Sequence, residues 1–198
     1  MAPPGSGGAP VDWLIVGLGN PGAEYERTRH NVGFRIAREL IERWRLPTPR
    51  SRYRGLITEG RTGVSGARVM GGDRVAVLLP QTYMNDAGDS VGPARGALHV
   101  ALDRLLVVHD EIDIPFGEIR VRLGGGLAGH NGLKSLRRGL GSTEFGRVRV
   151  GVGRPPTTDP DRVAAYVLGR FAEPPEEVAA LVGRGADAAE AVLREGYG

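Results

Sequence analysis

The chain has 198 residues, 40% of them hydrophobic and 25% charged, a balance typical of one soluble globular domain. No apolar run approaches the roughly 20 residues that a membrane helix needs, and without cysteine there are no disulfides and no thiolate catalysis or metal ligands. We therefore expect a cytoplasmic protein with no membrane association, with a disordered leader over residues 1–10 and one domain over residues 11–198.

Arginine dominates the basic residues. The net charge is only +3, but Lys134 is the only lysine among 26 basic residues, so the other 25 are arginines. The planar guanidinium suits phosphate recognition, which fits an RNA partner. A genome that favours arginine codons would produce the same bias, so composition alone leaves both interpretations open.

The chain opens with a strand, a polar loop and a helix. Residues 11–18 form a short apolar run that ends in glycine, asparagine and proline, which indicates a buried central strand entering a turn. Apolar residues then recur at helical spacing and predict a helix over residues 32–44, ended by Pro47.

Strands and helices continue to alternate along the rest of the chain. Two weak strand patterns, at residues 56–59 and 67–70, are expected to form a hairpin at one edge of the sheet. Further strands are predicted at residues 75–79, 105–108, 119–123 and 148–152, and helices at 91–99, 132–140, 162–168 and 175–195. This order predicts an α/β fold: a single domain with a twisted, mixed, mostly parallel sheet and helices on both faces.

Residues 17–22, Gly-Leu-Gly-Asn-Pro-Gly, match the dinucleotide-binding template Gly-x-Gly-x-x-Gly directly after a strand. In that fold the helix begins on the glycine turn, and an acid ends the next strand about 20 residues later. Here Pro21 and the polar stretch up to Arg29 delay the helix, and Glu39 falls inside it. We therefore expect no nucleotide cofactor.

His30 stands where the polar loop becomes a helix. A lone histidine there is usually a cap or a solvated residue. However, Asn20 and Tyr25 share its loop, and Asp110 follows the second apolar strand, which would reach the same sheet edge if the two strands are parallel. A carboxylate bonded to one ring nitrogen would fix the tautomer of His30 and stabilise the imidazolium that forms when the other nitrogen takes a proton from water.

Two more loops after predicted strands carry asparagines, Asn85 and Asn131. An asparagine in a turn is normally structural. Converging with Asn20 and His30, however, uncharged amides that both donate and accept can hold a peptide backbone and an ester carbonyl. We interpret His130, beside Asn131, as a packed structural histidine and not as a ligand contact.

Taken in order, these motifs resemble the bacterial peptidyl-tRNA hydrolase family in its single-domain form. The matching segments are residues 17–22, Tyr25 with 28–33, 82–85, 109–113, 129–134, 145–153 and 167–171. The resemblance implies hydrolysis of the ester between peptide and tRNA, which recycles tRNA from prematurely released chains. It also implies a monomer that binds peptidyl-tRNA and needs neither metal nor cofactor.

The resemblance assigns roles to individual residues. His30 would be the proton acceptor that activates water, Asp110 would stabilise its basic, oriented form, and Asn20 would discriminate blocked from free aminoacyl-tRNA. Contacts to tRNA and peptide fall to Tyr25, Tyr83, Asn85 and Asn131, supported by Met84, Arg122 and Arg149. Arginines that alternate along a strand fit phosphate contacts, which position RNA without reading its sequence.

Three residues depart from the family pattern: Leu79, Leu127 and Ala128. Ala128 matters most, because alanine at a position that needs positive φ would strain the loop that places Asn131. The alternative function is a non-catalytic RNA-binding relative of the same fold. The complete set of His30, Asp110 and three asparagines argues against that alternative.

Overall fold

The computed structural model describes residues 10–65, 68–69 and 71–198, so the predicted leader lies outside the described residues except for Pro10. The helices are α1 (Val32–Arg43), α2 (Gly88–Ala97), α3 (Asn131–Leu140), α4 (Pro160–Val167) and α5 (Pro175–Glu195). The strands are β1 (Trp13–Gly17), β2 (Arg50–Arg52), β3 (Gly55–Arg61), β4 (Val64–Ser65), β5 (Arg68–Val69), β6 (Arg74–Pro80), β7 (Leu105–Glu111), β8 (Ile119–Leu123) and β9 (Gly146–Gly151). None of the described helices is long and apolar enough to cross a membrane.

A seven-stranded sheet in the order β2-β3-β6-β1-β7-β9-β8 forms the centre of the fold. The four central strands, β6, β1, β7 and β9, are parallel, and β3 and β8 flank them antiparallel. The α/β fold with a mixed sheet is therefore confirmed. Because β6, β1 and β7 are adjacent and parallel, the loops that follow them meet at one edge of the sheet.

Helices cover both faces of the sheet, as alternation along β1 requires. Ile15 points into a core shared with α1 and α5, whereas Leu14 and Val16 point into a second core shared with α2 and α3. All three are fully buried, and each such side chain contributes about 2 kcal/mol by leaving water. The central strand therefore holds two helical layers together.

The predicted hairpin between residues 56–59 and 67–70 is wrong. β3 pairs along seven residues with β6 and on its other side with β2, while β4 and β5 form a separate two-stranded sheet. β2 was not predicted because Arg-Ser-Arg is an exposed, wholly polar edge strand with no apolar alternation. Within the second predicted segment, Ala67 and Met70 lie outside the described residues.

Two glycines bring the start of α1 against the sheet. A Cβ at Gly17 would lie 2.3 Å from the carbonyl oxygen of Gly33, and a Cβ at Gly33 would lie 2.4 Å from that of Val108. Only glycine permits these approaches. The turn just before α1, which carries His30, is therefore held at the ends of β1 and β7.

Candidate active site

His30 and Asp110 form a buried hydrogen-bonded pair. His30 lies in a 3₁₀ turn, Arg29–Asn31, and Asp110 lies within β7, which extends beyond the predicted strand to Glu111. The Nδ1 atom of His30 is 2.9 and 3.0 Å from the two carboxylate oxygens of Asp110. A carboxylate only accepts, so Nδ1–H donates, and Nε2 of the neutral ring keeps its lone pair. That nitrogen has no hydrogen-bond partner among the described residues.

The pair favours a protonated ring and an ionised carboxylate. Burial lowers the pKa of His30, but the charge and hydrogen bond of Asp110 outweigh it and leave the pKa above the ordinary 6.5. Burial raises the pKa of Asp110, yet His30 and His130 together hold it well below its usual range. Asp110 therefore stays negative whenever His30 exchanges a proton.

His130 contacts the same carboxylate. Its Nε2 atom lies 2.8 Å from Oδ1 of Asp110, and its Nδ1 accepts from the backbone N–H groups of Gly132 and Leu133, at 3.1 and 3.3 Å, at the start of α3. The two backbone donors make Nδ1 an acceptor, so the ring proton is on Nε2. The sequence predicts only a packed structural histidine at His130, and its cap on α3 is an observation of the structure. Its bond to Asp110, 20 residues away, had no signal beyond the Gly-His-Asn motif.

The possible metal ligands His30, Asp110 and His130 have donor atoms within 4.8 Å of one another. A metal at Nε2 of His130 would need the lone pair of that nitrogen. The ring proton would then move to Nδ1, where it would face two backbone N–H donors. The hydrogen bonds around this ring therefore suit a carboxylate partner and do not suit a metal ion.

The pair opens into a cavity of about 660 Å³, within the range of small-molecule sites. Its polar lining includes His30 and Asp110 together with the three predicted asparagines, Asn20, Asn85 and Asn131. Its apolar lining includes Ile112, Pro160, Val163, Ala164, Val167 and Leu168. The sequence-predicted residues thus converge, but the role of α4 as a wall was not predicted. Its apolar residues line this cavity, and no residue of the helix is fully buried.

Asn20 is fixed by hydrogen bonds to two other segments. Its Oδ1 accepts from the backbone N–H of Met84 at 2.7 Å, and its backbone N–H and carbonyl both bond the side chain of Asn31 at 2.9 Å. Because Oδ1 is occupied, Nδ2 is the polar atom of this side chain that lacks a partner among the described residues. Asn20 therefore offers the cavity a donor.

Tyr83 and Met84 line the cavity too, while Tyr25 lies outside the lining. Tyr83 is 58% exposed, and its ring packs edge-on against that of Tyr25, with centroids 6.5 Å apart. Met84 is buried. Tyr25 thus packs against Tyr83 next to the cavity without being part of its lining.

Arg122 and Arg149 lie outside the cavity, on β8 and β9. Arg149 is 3.3 Å from a carboxylate oxygen of Glu111, and Arg122 stands opposite Arg147 across the strand pair. Arg147 is buried and donates to the carbonyls of Gly125 and Gly126. The repulsion of neighbouring arginines adds to burial in lowering the pKa of Arg147 to about 10. Three arginines, Arg122, Arg147 and Arg149, therefore lie close together on the strand pair, and Arg147 bonds the glycine-rich loop.

The departures from the family pattern have different consequences. Leu79 packs in the core at the end of β6, and Leu127 packs against the core shared with α2 and α3. Ala128 has a φ of 47° and is followed by Gly129 at 73°, inside a turn closed by the bond from His130 N–H to the Leu127 carbonyl. Two positive φ values make this a type I′ turn, and alanine is strained in it.

Comparison with known proteins agrees with this geometry. A model of the peptidyl-tRNA hydrolase family matches residues 14–198. The peptidyl-tRNA hydrolase of Geobacillus kaustophilus is 46% identical over 184 residues, 91% of this chain and 92% of that protein, and the one of Kineococcus radiotolerans is 45% identical over 187 residues, 93% and 92%. The crystal structure of peptidyl-tRNA hydrolase from Acinetobacter baumannii aligns with a TM-score of 0.80 at 35% identity and covers 96% of this chain and 92% of that one. The motifs, the fold and the relatives agree, and the chain belongs to the peptidyl-tRNA hydrolase family.

Proposed function

We propose that this protein hydrolyses the ester between peptide and tRNA in peptidyl-tRNA, with His30 as general base. The observation that carries the proposal is the geometry of one ring. Nδ1 of His30 is held by a buried carboxylate, and Nε2 has no partner among the described residues, in a ring that lines the cavity. Membership of the peptidyl-tRNA hydrolase family supplies the substrate class.

The reaction follows from that ring. A water bound at Nε2 gives its proton to His30 while its oxygen attacks the ester carbonyl carbon, and Asp110 stabilises the imidazolium. The amide donors of the cavity asparagines stabilise the oxyanion that forms. When the C–O bond to the terminal ribose breaks, the imidazolium returns the proton to the ribose oxygen, and His30 is neutral again.

Asn20 accounts for discrimination between blocked and free aminoacyl-tRNA. Its available Nδ2 is a donor, which matches a carbonyl oxygen of a peptide. The free α-ammonium of an aminoacyl-tRNA only donates, so it would find no acceptor on this side chain. A site built to bond a group discriminates strongly against an analogue that leaves its own polar atoms unpaired.

We propose that Arg122 and Arg149 contact tRNA phosphates. The contacts to the 3′ end of the tRNA and to the peptide are assigned to Tyr25, Tyr83, Asn85 and Asn131, supported by the buried Met84. Phosphate contacts release counterions, so KM should rise with salt. In Arg122→Gln, the slope of log KM against log salt should become shallower by about one unit. Glu118→Gln, which removes an exposed acid near the same strand, is the matched control and should not flatten the slope.

We further propose that the enzyme acts in the cytoplasm as a monomer, without metal or nucleotide cofactor, and that residues 11–198 are its single domain. A chelator should leave turnover unchanged, and gel filtration should give the monomer mass. Removal of residues 1–10 should alter neither activity nor thermal stability.

The decisive experiment measures release of the N-acetyl-amino acid from N-acetyl-aminoacyl-tRNA. His30→Ala should lower kcat about 10²- to 10⁴-fold, the usual contribution of a general base. His99→Ala is the matched control, because His99 is exposed and lines a different cavity. Turnover by His30→Ala at the wild-type rate would refute the mechanism, and tRNA binding without turnover by the wild type would indicate a non-catalytic RNA-binding relative.

A further inference from the structure

His130 has no part in the reaction written above, yet it contacts the one charged group on which that reaction depends. Its ring joins β7, through Asp110, to the first turn of α3, through Gly132 and Leu133. Asn131, the next residue, is the first of α3 and lines the cavity. One imidazole thus connects the catalytic carboxylate to a substrate-binding asparagine.

We propose that His130 is a positioning residue, whose Nε2–H holds the Asp110 carboxylate while its Nδ1 fixes the helix start that carries Asn131. The inference rests on the proposed function, since His130 acts through Asp110 on His30. His130 lines the same cavity, but both of its ring nitrogens are already bonded, so it acts through Asp110 and not on the ester directly.

Histidine suits this position because both ring nitrogens are used in opposite senses. A neutral imidazole has one donor and one acceptor on opposite sides of a rigid ring. Asparagine could accept from the helix N–H groups as a cap, but its side chain is too short to reach the carboxylate as well. An alanine would leave the two helix N–H groups without their cap and the carboxylate with His30 as its one remaining side-chain partner among the described residues. The pair of contacts therefore selects an imidazole.

The neighbours of His130 restrict what its loss can do. The titratable groups that face it are Asp110 and His109 from β7 and His30 from the turn before α1, and the rings of His30 and His109 each lie 5.1 Å away, centroid to centroid. Burial, with the nearby His130, lowers the pKa of His109 to about 3, so this ring is neutral at working pH. Asp110 is then the charged group to which His130 is bonded, and Lys134 and Glu111 are further charged residues that line the same cavity.

Two effects on His30 follow from losing the bond to Asp110. The carboxylate charge would no longer be shared with a second donor, so it would attract the His30 imidazolium more strongly and raise the pKa of His30. The carboxylate would also be held by one partner instead of two, so His30 would be less precisely aimed. At neutral pH fewer molecules would carry the free base, and those that do would react more slowly.

The test is His130→Asn, which keeps a capping oxygen and loses the bond to Asp110. The pKa of His30 is measured by NMR titration of the imidazole protons without substrate, and kcat/KM is measured across pH. We expect the His30 pKa to rise by about half a unit or more, the acid limb of kcat/KM to move with it, and the plateau to fall about tenfold. His99→Asn, the same substitution at an exposed site, should change none of these.

The double variant Asp110→Asn/His130→Asn separates positioning from direct contact. If His130 acts through Asp110, adding His130→Asn to Asp110→Asn should leave the His30 pKa unchanged. A shift that persists there, or no shift in the single variant, would overturn the proposal even if His30→Ala confirms the general base. Wild-type turnover by His30→Ala would instead remove the proposed function, so the two failures are distinguishable.

The wild-type protein provides a check that does not depend on how the variants fold. Nitrogen-15 imidazole shifts should show that the neutral ring of His130 has a bare Nδ1 and a protonated Nε2. The opposite tautomer could not cap α3 and bond the carboxylate, and observing it would overturn the proposal.

Discussion

Replacement of Ala128 by glycine should stabilise the protein. Ala128 has a φ of 47° in a type I′ turn, where a Cβ costs about 1–2 kcal/mol. Glycine removes that strain but adds freedom to the unfolded chain, which costs about 0.4–1 kcal/mol. The free energy of unfolding should therefore rise by about 0.5–1 kcal/mol, equivalent to about 2 °C in Tm for a chain of this length.

The assay is urea denaturation, with an unchanged m-value as the check that the unfolded state is comparable. Ala101→Gly is the matched control: Ala101 is also exposed, but it has an ordinary φ of −67°, so glycine there should destabilise. Ala128→Asn provides a second arm, because asparagine tolerates left-handed backbone without the entropy of glycine. It should stabilise as well.

Hydrolysis is the companion measurement, because the turn leads directly into His130 and Asn131. If glycine adopts the same φ, these residues stay in place and kcat/KM should not change. Destabilisation by Ala128→Gly as large as that by Ala101→Gly would refute the claim of strain. A large loss of activity at unchanged stability would show that the Cβ of Ala128 itself contributes to the site.

Three further predictions follow from the buried polar groups. His30 must be neutral to accept a proton, and its pKa is raised, so kcat/KM should fall as pH drops through a pKa above 6.5. Asp110→Asn should move this acid limb of the pH profile to lower pH and should also lower the plateau of kcat/KM. His109 stays neutral in the folded protein down to about pH 3, whereas the same residue in the unfolded chain takes up a proton below pH 6.5. As pH drops from 6.5 to 3, the free energy of unfolding should therefore fall by about 1.4 kcal/mol per pH unit. In urea denaturation, His109→Gln should lack this contribution to the slope. Arg29 donates to the carbonyl of Tyr166, and its guanidinium stacks 3.9 Å from the centre of the Tyr166 ring. Arg29→Met should therefore lower the free energy of unfolding by about 2 kcal/mol in urea denaturation and speed hydrogen exchange in α4. Arg29→Lys should recover only part of that loss.

The parts of the site that could be predicted from the sequence depend on strand adjacency. An apolar run followed by polar residues marks the carboxyl end of a buried strand, and parallel pairing of β1 with β7 brings His30 to Asp110. The bond between Asp110 and His130 could not be predicted, because it depends on the path of a glycine-rich loop that has no periodic pattern. The position of α4 at the cavity could not be predicted either, because Val163 and Val167 have the same helical spacing whether they face a core or a cavity.

The contacts that join the segments explain why the site depends on residues that never touch substrate. Asn31 is 1% exposed and bonds the backbone of Asn20 in both directions, and Asn20 in turn bonds the backbone before Asn85 through Met84. These links are neutral amides, so they fix geometry without adding charge. Among the described residues, Asp110 therefore remains the one negative group hydrogen-bonded to His30, and burial strengthens the attraction between its charge and the imidazolium.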